Sequence, residues 1–330
     1  MKPRVLSGMR PTGKLHLGHL VGALDNWASL QDRYDCFYFV ADWHALTSDY
    51  ADTSEIVANA YDMAADWVAA GLDPERSTLF VQSLVPEHAE LYLLLSMTIP
   101  IPWLERVPTY KEQIEQLAEK DLSTLGFLGY PLLQTADIIV YNARYVPVGE
   151  DQVAHLELSR EIVRRFHNFY GELFVEPEAM LTDFKRLPGL DNRKMSKSYG
   201  NAISLSDDAE TVRKKVMQMY TDPKRIRADV PGTVEGNPVF TYHQAFNPDT
   251  AEVEDLKTRY RAGKVGDVEV KTKLATALNA YLEPIRARRA DVLARPEALR
   301  EILHEGSRKA RAVAQETMER VRGAVKLDYR

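Results

Sequence analysis

Apolar residues in the first half of the chain follow two alternating rhythms. Short runs at 4–8 (RVLSG), 36–42 (CFYFVAD), 77–81 (STLFV), 138–141 and 145–148 have the length and composition of buried strands. Between them the spacing becomes helical. From Leu20 the segment LVGALDNWASLQ places apolar residues three and four apart. Over 53–70, Ile56, Ala60, Met63, Ala64, Trp67 and Val68 share one face, with Thr53 or Ser54 as the expected cap and Gly71 as the stop. A further helix is predicted over about 151–170. Strands alternating with helices predict an α/β fold with a doubly wound parallel sheet.

A proline-bearing stretch, IPIPWLERVPTYK at 99–111, breaks the alternation, and a polar helical segment, KEQIEQLAEK, follows it. Together they suggest an insertion, at about 85–130, between the two halves of the sheet. From about 206 the pattern is mostly helical, interrupted by DVPGTVEGNP (229–238) and AGKVGD (262–267). The chain closes on an Ala/Arg/Glu-rich helical stretch. The expected division is therefore a sheet domain over 1–190 and a mainly helical domain over 191–330.

At 330 residues, 45% hydrophobic and 27% charged, the chain can bury one large core or two. No segment approaches the roughly 18 uninterrupted apolar residues of a membrane span, and MKPRVLSGMR lacks a signal-peptide core. These features predict a soluble cytoplasmic protein with no membrane partner. The single cysteine, Cys36, excludes an internal disulfide and a multi-Cys zinc site. Net charge is −6, but residues 284–330 carry 12 Lys or Arg against 7 Asp or Glu, a net of +5 that leaves −11 on residues 1–283. A basic end on an acidic body is compatible with docking a polyanion, and equally describes a solvated helix surface.

Chemistry concentrates in two short strings. In PTGKLHLGHL (11–20), His16 and His19 stand three residues apart where a strand gives way to a helix. A helix N-terminus offers free N–H groups and a positive dipole end, so two imidazoles there point to a phosphate. In KMSKS (194–198), Lys194 and Lys197 with Ser196 and Ser198 sit in the aperiodic segment LDNRKMSKSYGN. Flexible point charges flanked by hydroxyl donors suit a clamp on a polyphosphate. A K-x-x-K alone would describe a basic surface loop; the exact string says more than its charge.

Together these strings resemble the two signature motifs of class I aminoacyl-tRNA synthetases, with Leu17 where the first signature usually shows Ile. Three more stretches, SGMRPTG (7–13), ADWHALT (41–47) and VPVGEDQVAHLELSREI (146–162), are similar to the tryptophanyl-tRNA synthetases, and the resemblance covers essentially the whole chain. It implies a Rossmann-type catalytic domain, a helical anticodon-binding region, ATP with Mg²⁺ as substrate without dedicated protein ligands, no zinc, tRNA(Trp) as partner and a homodimer formed near 85–130. Arg10, Pro11, Thr12, Gly18 and His19 match adenosine- and phosphate-contacting positions. Gly149, Glu150 and Asp151 match a second ATP-contacting stretch, and Leu187 a backbone position beside adenine. Lys194, Met195, Ser196, Lys197 and Ser198 match the loop that closes on pyrophosphate. The catalytic set implied is His16, His19, Lys111, Lys194 and Lys197.

The same resemblance places L-tryptophan near Gly8, Tyr130, Gln134, Asp137, Val146, Val148 and Gln152. Asp137 is an acid inside the apolar run YPLLQTADIIVYN, and a buried carboxylate needs a donor, which an indole N–H can be. A core Arg or a helix cap is the alternative. At Gln134 many bacterial members carry Met; YPLLQ…D echoes the tyrosyl enzymes, where Gln and Asp help hold the substrate. SGMRPTG and the GEDQ run favour tryptophan. His44 and Gln152 are candidates for the substrate's ammonium or carboxylate, with a structural role for His44 equally open. A non-catalytic tRNA- or nucleotide-binding paralogue is the reading from another class; the intact histidines and lysines argue against it.

Overall fold

Five strands pair in parallel: β1 (Arg4–Met9), β2 (Asp35–Val40), β3 (Ser77–Val81), β4 (Tyr145–Val148) and β5 (Glu178–Leu181). The computed structural model describes residues 2–108, 110, 121–181, 187–196, 199–223, 225, 227 and 229–329, with Asp151 described by its backbone. The strand order β3-β2-β1-β4-β5 is doubly wound. The chain steps outward from β1 to β3, then returns to the far side of β1 to lay down β4 and β5. The switch point therefore lies at the carboxyl ends of β1 and β4, where Gly8 to Arg10 and Val148 to Gly149 leave the sheet. β2, DCFYFV, buries five of its six residues, as a strand covered on both faces must.

Four strands fall where the hydrophobic runs predict them. The run at 138–141 does not form a strand: the helix Leu125–Ile139 takes in its first two residues, and a turn that reaches Asn142, with φ 48°, takes the rest. Ile138 to Tyr141 are all buried, so no alternation betrays which period they follow. β5, EAML, alternates half-buried and exposed positions and carries too weak a pattern to stand out. The helix expected over 53–70 runs over Ile56–Ala69, and neither Thr53 nor Ser54 caps it; the Asp52 carboxylate has taken both the amide and the hydroxyl of Ser54. The helix after β1 is continuous from Leu17–His19 through a π turn, Leu20–Leu24, into Asp25–Leu30.

The chain forms two compact units, one of residues 1–13, 26–183 and 295–330, the other of 14–25 and 184–294. This division differs from the boundary expected at 190, because the last helix, Pro296–Ala324, returns to the sheet unit. There it covers the edge strand β3. A Cβ on Gly306 would lie 1.8 Å from the Leu79 carbonyl oxygen, so only glycine lets helix and strand approach this closely. Ser307 Oγ accepts the Val81 N–H at 3.2 Å, and Ala310, Ala314, Met318 and Val321 join the sheet's own core. Arg322 makes a two-bond fork on Glu90 at 2.7 and 2.6 Å.

The second unit is helical, built on the long helix Asp267–Leu293, against which Ala209–Met217 and Pro238–Phe246 pack. Two buried cations stitch it. Lys271 Nζ donates to the Met219 carbonyl at 2.6 Å and to Thr221 Oγ1 at 2.7 Å. Arg225 stacks on the Tyr260 ring, 4.1 Å from its centroid, and donates to the Val230 and Val265 carbonyls. Among the described residues no helix is long and apolar enough to cross a membrane.

Candidate active site

In the sheet unit, the helix Leu125–Ile139 carries Tyr130, Gln134 and Asp137 at spacings of four and three, and so on one face. Its start is fixed by Thr124, whose hydroxyl accepts the Phe127 N–H at 3.1 Å. Asp137 is 1% exposed, yet three side chains converge on it. Gln82 Nε2 at 2.8 Å and His88 Nδ1 at 2.6 Å meet Oδ1, while His44 Nε2 at 2.7 Å meets Oδ2. Burial acts most strongly and pushes the carboxyl up, but hydrogen bonds and charge from His44 and His88 outweigh it and hold the group at about 2. Asp137 is therefore an ionised, acceptor-only group in an apolar setting. Its partners are neither the core Arg nor the helix cap that the sequence left open.

Other residues assigned to tryptophan lie in the same unit. Val146 and Val148 are buried at alternate positions of β4, on one face. Gln152 ends the short 3₁₀ turn Glu150–Gln152, for which Gly149 is the cap, and the Gln152 N–H returns to the Gly149 carbonyl at 3.0 Å. Gly8 faces the Phe39 ring so closely that a Cβ would lie 2.4 Å from Phe39 Cζ. Tyr130 shares a hydrogen bond of 2.9 Å with His155 Nε2, inside the protein. Of the first-motif residues, Arg10 and Thr12 are exposed, Pro11 is buried, and the Thr12 N–H closes a tight turn on the Arg10 carbonyl at 2.9 Å.

The two signature strings meet in the second unit. His16 is the N-cap of Leu17–His19 and its ring packs on that of His19, centroids 3.8 Å apart. The Leu17 N–H reaches the Ile203 carbonyl at 3.0 Å, and the Leu205 N–H reaches Leu15 at 2.9 Å, so the first motif is sewn to the segment just after the second. Gly18 lies between the His16 ring and Met195, each 3.0 Å from where a Cβ would be. Lys194 is exposed, Ser196 half-buried and Leu187 buried.

Asn201 organises the Lys194 loop. Its Nδ2 donates to Asp191 Oδ1 at 2.7 Å and to the Lys194 carbonyl at 3.1 Å, and its Oδ1 accepts the Ser196 N–H at 2.9 Å. Gly189 makes room for it, since a Cβ there would fall 2.2 Å from Nδ2. The hydrogen bond from Asn201, helped by Arg193, holds the Asp191 carboxyl low, at about 2. Lys111, Lys197, Ser198 and the Asp151 side chain lie outside the described residues.

Sequence reasoning missed Gln82, His88, His155 and Asn201. The signal for His88 was present: a lone histidine in VPEHAELYLLL, two residues from a proline and facing into an apolar helix, answers the demand that a buried aspartate makes for donors.

A doubly wound sheet with a buried polar cluster on Asp137, and two loops that carry the signature strings, are parts found in class I aminoacyl-tRNA synthetases. The chain belongs to the family described as tRNA synthetases class I (W and Y), which matches residues 1–283. Its relatives include the tryptophan–tRNA ligase of Treponema pallidum, 51% identical over 330 residues that span 99% of this chain and 98% of that protein. The tryptophan–tRNA ligase of Aquifex aeolicus is 44% identical over 393 residues, covering 98% of this chain and all of that protein. Among solved structures, the tryptophanyl-tRNA synthetase of Campylobacter jejuni complexed with ADP and tryptophan superposes with a TM-score of 0.89 at 34% identity, over 98% of this chain and 99% of that one.

Proposed function

We infer that this chain attaches L-tryptophan to tRNA(Trp) at the expense of ATP, through a tryptophanyl-adenylate. The observation that carries the reading is the whole-length identity to tryptophan–tRNA ligases, with both signature strings intact. The substrate carboxylate attacks the α-phosphorus of ATP and pyrophosphate leaves; the adenylate then passes to the terminal ribose of the tRNA, at the 2′-hydroxyl. Such a displacement asks the protein chiefly to align reactants and to offset charge growing on the leaving group. In this reading His16, His19, Lys111, Lys194 and Lys197 serve the phosphates, with Gly18, Met195, Ser196 and Ser198. Arg10, Pro11, Thr12, Gly149, Glu150, Asp151 and Leu187 serve the nucleotide. Magnesium enters with ATP; among the described residues no group of three His, Cys, Asp or Glu side chains is arranged for a metal.

Tryptophan is assigned to Gly8, Tyr130, Gln134, Asp137, Val146, Val148 and Gln152, with Asp137 as the acceptor for the indole N–H. Its ionised state in an apolar setting supports that role, and the half-buried Gln134, one turn earlier on the same face, is a tolerated variation on the pocket. The helical region over 191–330 is assigned to the anticodon, and the enzyme to the cytoplasm. A homodimer is assigned to the 85–130 region, in which Leu93, Met97, Ile101 and Leu125 are exposed. The test is amino-acid-dependent ATP–pyrophosphate exchange without tRNA. Exchange with tryptophan and not tyrosine is expected. Exchange with tyrosine alone moves the protein to the sister specificity, and exchange with neither amino acid overturns the enzymatic reading.

A further inference from the structure

We propose that His88, oriented by Tyr141, is a positioning residue for amino-acid selection: it holds one oxygen of the Asp137 carboxylate so that the other faces the indole N–H. The proposal rests on Asp137 being the indole acceptor, and extends it to two residues that never touch the substrate.

His88 is fully buried on the helix Glu87–Ser96, among the Phe39, Phe80 and Tyr141 rings. Its Nδ1 lies 2.6 Å from Asp137 Oδ1 and its Nε2 lies 2.7 Å from the Tyr141 hydroxyl. An ionised carboxylate can only accept, so Nδ1 carries a proton. The bond between Nε2 and the Tyr141 hydroxyl then fixes the plane of the ring from its other nitrogen. Burial, first, and the charge of Asp137 keep that phenol protonated, because both raise its titration well above the ordinary range. The ring is thus held at both nitrogens, by Tyr141 on one side and with Nδ1–H directed at Oδ1 on the other.

Gln82 completes the same oxygen. Its Nε2 donates to Oδ1 at 2.8 Å while its Oε1 accepts the Trp43 N–H at 3.2 Å, so the amide cannot turn over without losing both bonds. Two fixed donors fill the two lone-pair directions of Oδ1. Oδ2 meets His44, whose side chain is 12% exposed and is the least enclosed of the three donors. The carboxylate is accordingly asymmetric, with a closed oxygen toward the core and a second oxygen with acceptor capacity toward the substrate side. Without His88 the carboxylate is free to rotate and share its bonds among fewer donors, and the acceptor direction is lost.

The test compares tryptophan with β-(3-benzothienyl)alanine, which replaces the indole N–H by sulfur at nearly the same shape. Full-length wild type, His88→Leu, His88→Asn and Tyr141→Phe are assayed by pyrophosphate exchange for kcat/KM with each amino acid and for the KM of ATP. Wild type should prefer tryptophan. His88→Leu should shrink that preference about tenfold or more, the worth of a hydrogen bond to a charged group, with the analogue's kcat/KM and the ATP KM nearly unchanged. His88→Asn, which keeps a donor near the Nδ1 position, should recover most of the preference, and Tyr141→Phe should fall between. If the variants depress both amino acids alike, or leave the preference intact, the proposal is overturned. Should His88→Leu fail to fold, Tyr141→Phe, lacking one hydroxyl, decides alone: an unchanged preference sinks the proposal. A wild type that does not distinguish the two amino acids instead overturns the indole reading of Asp137, and the proposal with it.

Discussion

Replacing Asn201 by alanine removes the amide that holds the Lys194 loop in shape. The Ser196 N–H loses its acceptor at 2.9 Å and the Lys194 carbonyl loses its donor at 3.1 Å, around a side chain only 4% exposed. Each such bond is worth about 1 kcal/mol net, and somewhat more where the orphaned group stays shielded from water, which gives ~2–3 kcal/mol for the pair. None of these bonds belongs to a helix or strand, so the loss is felt as disorder of the loop rather than as global unfolding. Converted at 1.36 kcal/mol per decade, it corresponds to roughly a 30- to 160-fold fall in kcat/KM for ATP in pyrophosphate exchange. The KM for tryptophan and the thermal midpoint should hardly move. Gly189→Ala should behave alike, because its Cβ would stand 2.2 Å from Asn201 Nδ2 and expel the amide. An Asn201→Ala enzyme within threefold of wild type for ATP would refute the anchoring role; so would a parallel rise in the tryptophan KM.

Lys197→Ala should lower single-turnover adenylate formation while tryptophan affinity stays within about twofold, as expected of a charge that acts mainly in the transition state; an unchanged single-turnover rate contradicts it. Gly306→Ala should destabilise the sheet unit by about 1–3 kcal/mol in urea denaturation, since the new methyl meets the Leu79 backbone at 1.8 Å; full stability in that variant would mean the helix is free to lift. Asp137 is held at about 2 when folded, against about 3.9 in an unfolded chain. A depressed carboxyl stabilises the fold above the unfolded value, and that contribution, about 2.5 kcal/mol, is lost as pH falls from about 4 to 2. Asp137→Asn should therefore flatten the acid limb of stability against pH, and an identical slope in wild type and variant would count against the assignment.

What could be read from the sequence was whatever is local. β1 to β4 announce themselves as short apolar runs, and the two motif strings are contiguous, so residue type and spacing carry them. The run at 138–141 misleads because every residue in it is buried, which erases the difference between periods of 2 and 3.6. The donors to Asp137 come from Asp42–Asp49, Gln82–Leu84 and Glu87–Ser96, three elements that the fold alone brings together. Asp137 itself stood out as an acid in an apolar run, and of its partners only His88 left a signal of its own. Asn201 was visible as a neighbour of KMSKS, but its three bonds depend on a turn at 189–193 that no periodicity marks.

The return of Pro296–Ala324 to β3 has a consequence for how the protein is made. During synthesis the first strands emerge early, whereas the helix that covers their edge is translated only after the intervening unit. Until then β3 displays an unpaired row of backbone groups, including the Val81 N–H that Ser307 later satisfies, and such an edge is a template for pairing with another nascent chain. The intervening unit, residues 184–294, leaves the ribosome before the sheet can be sealed. Loss of the helix Pro296–Ala324 would thus expose the edge of the parallel sheet to aggregation, although that helix carries none of the residues assigned to ATP or tryptophan.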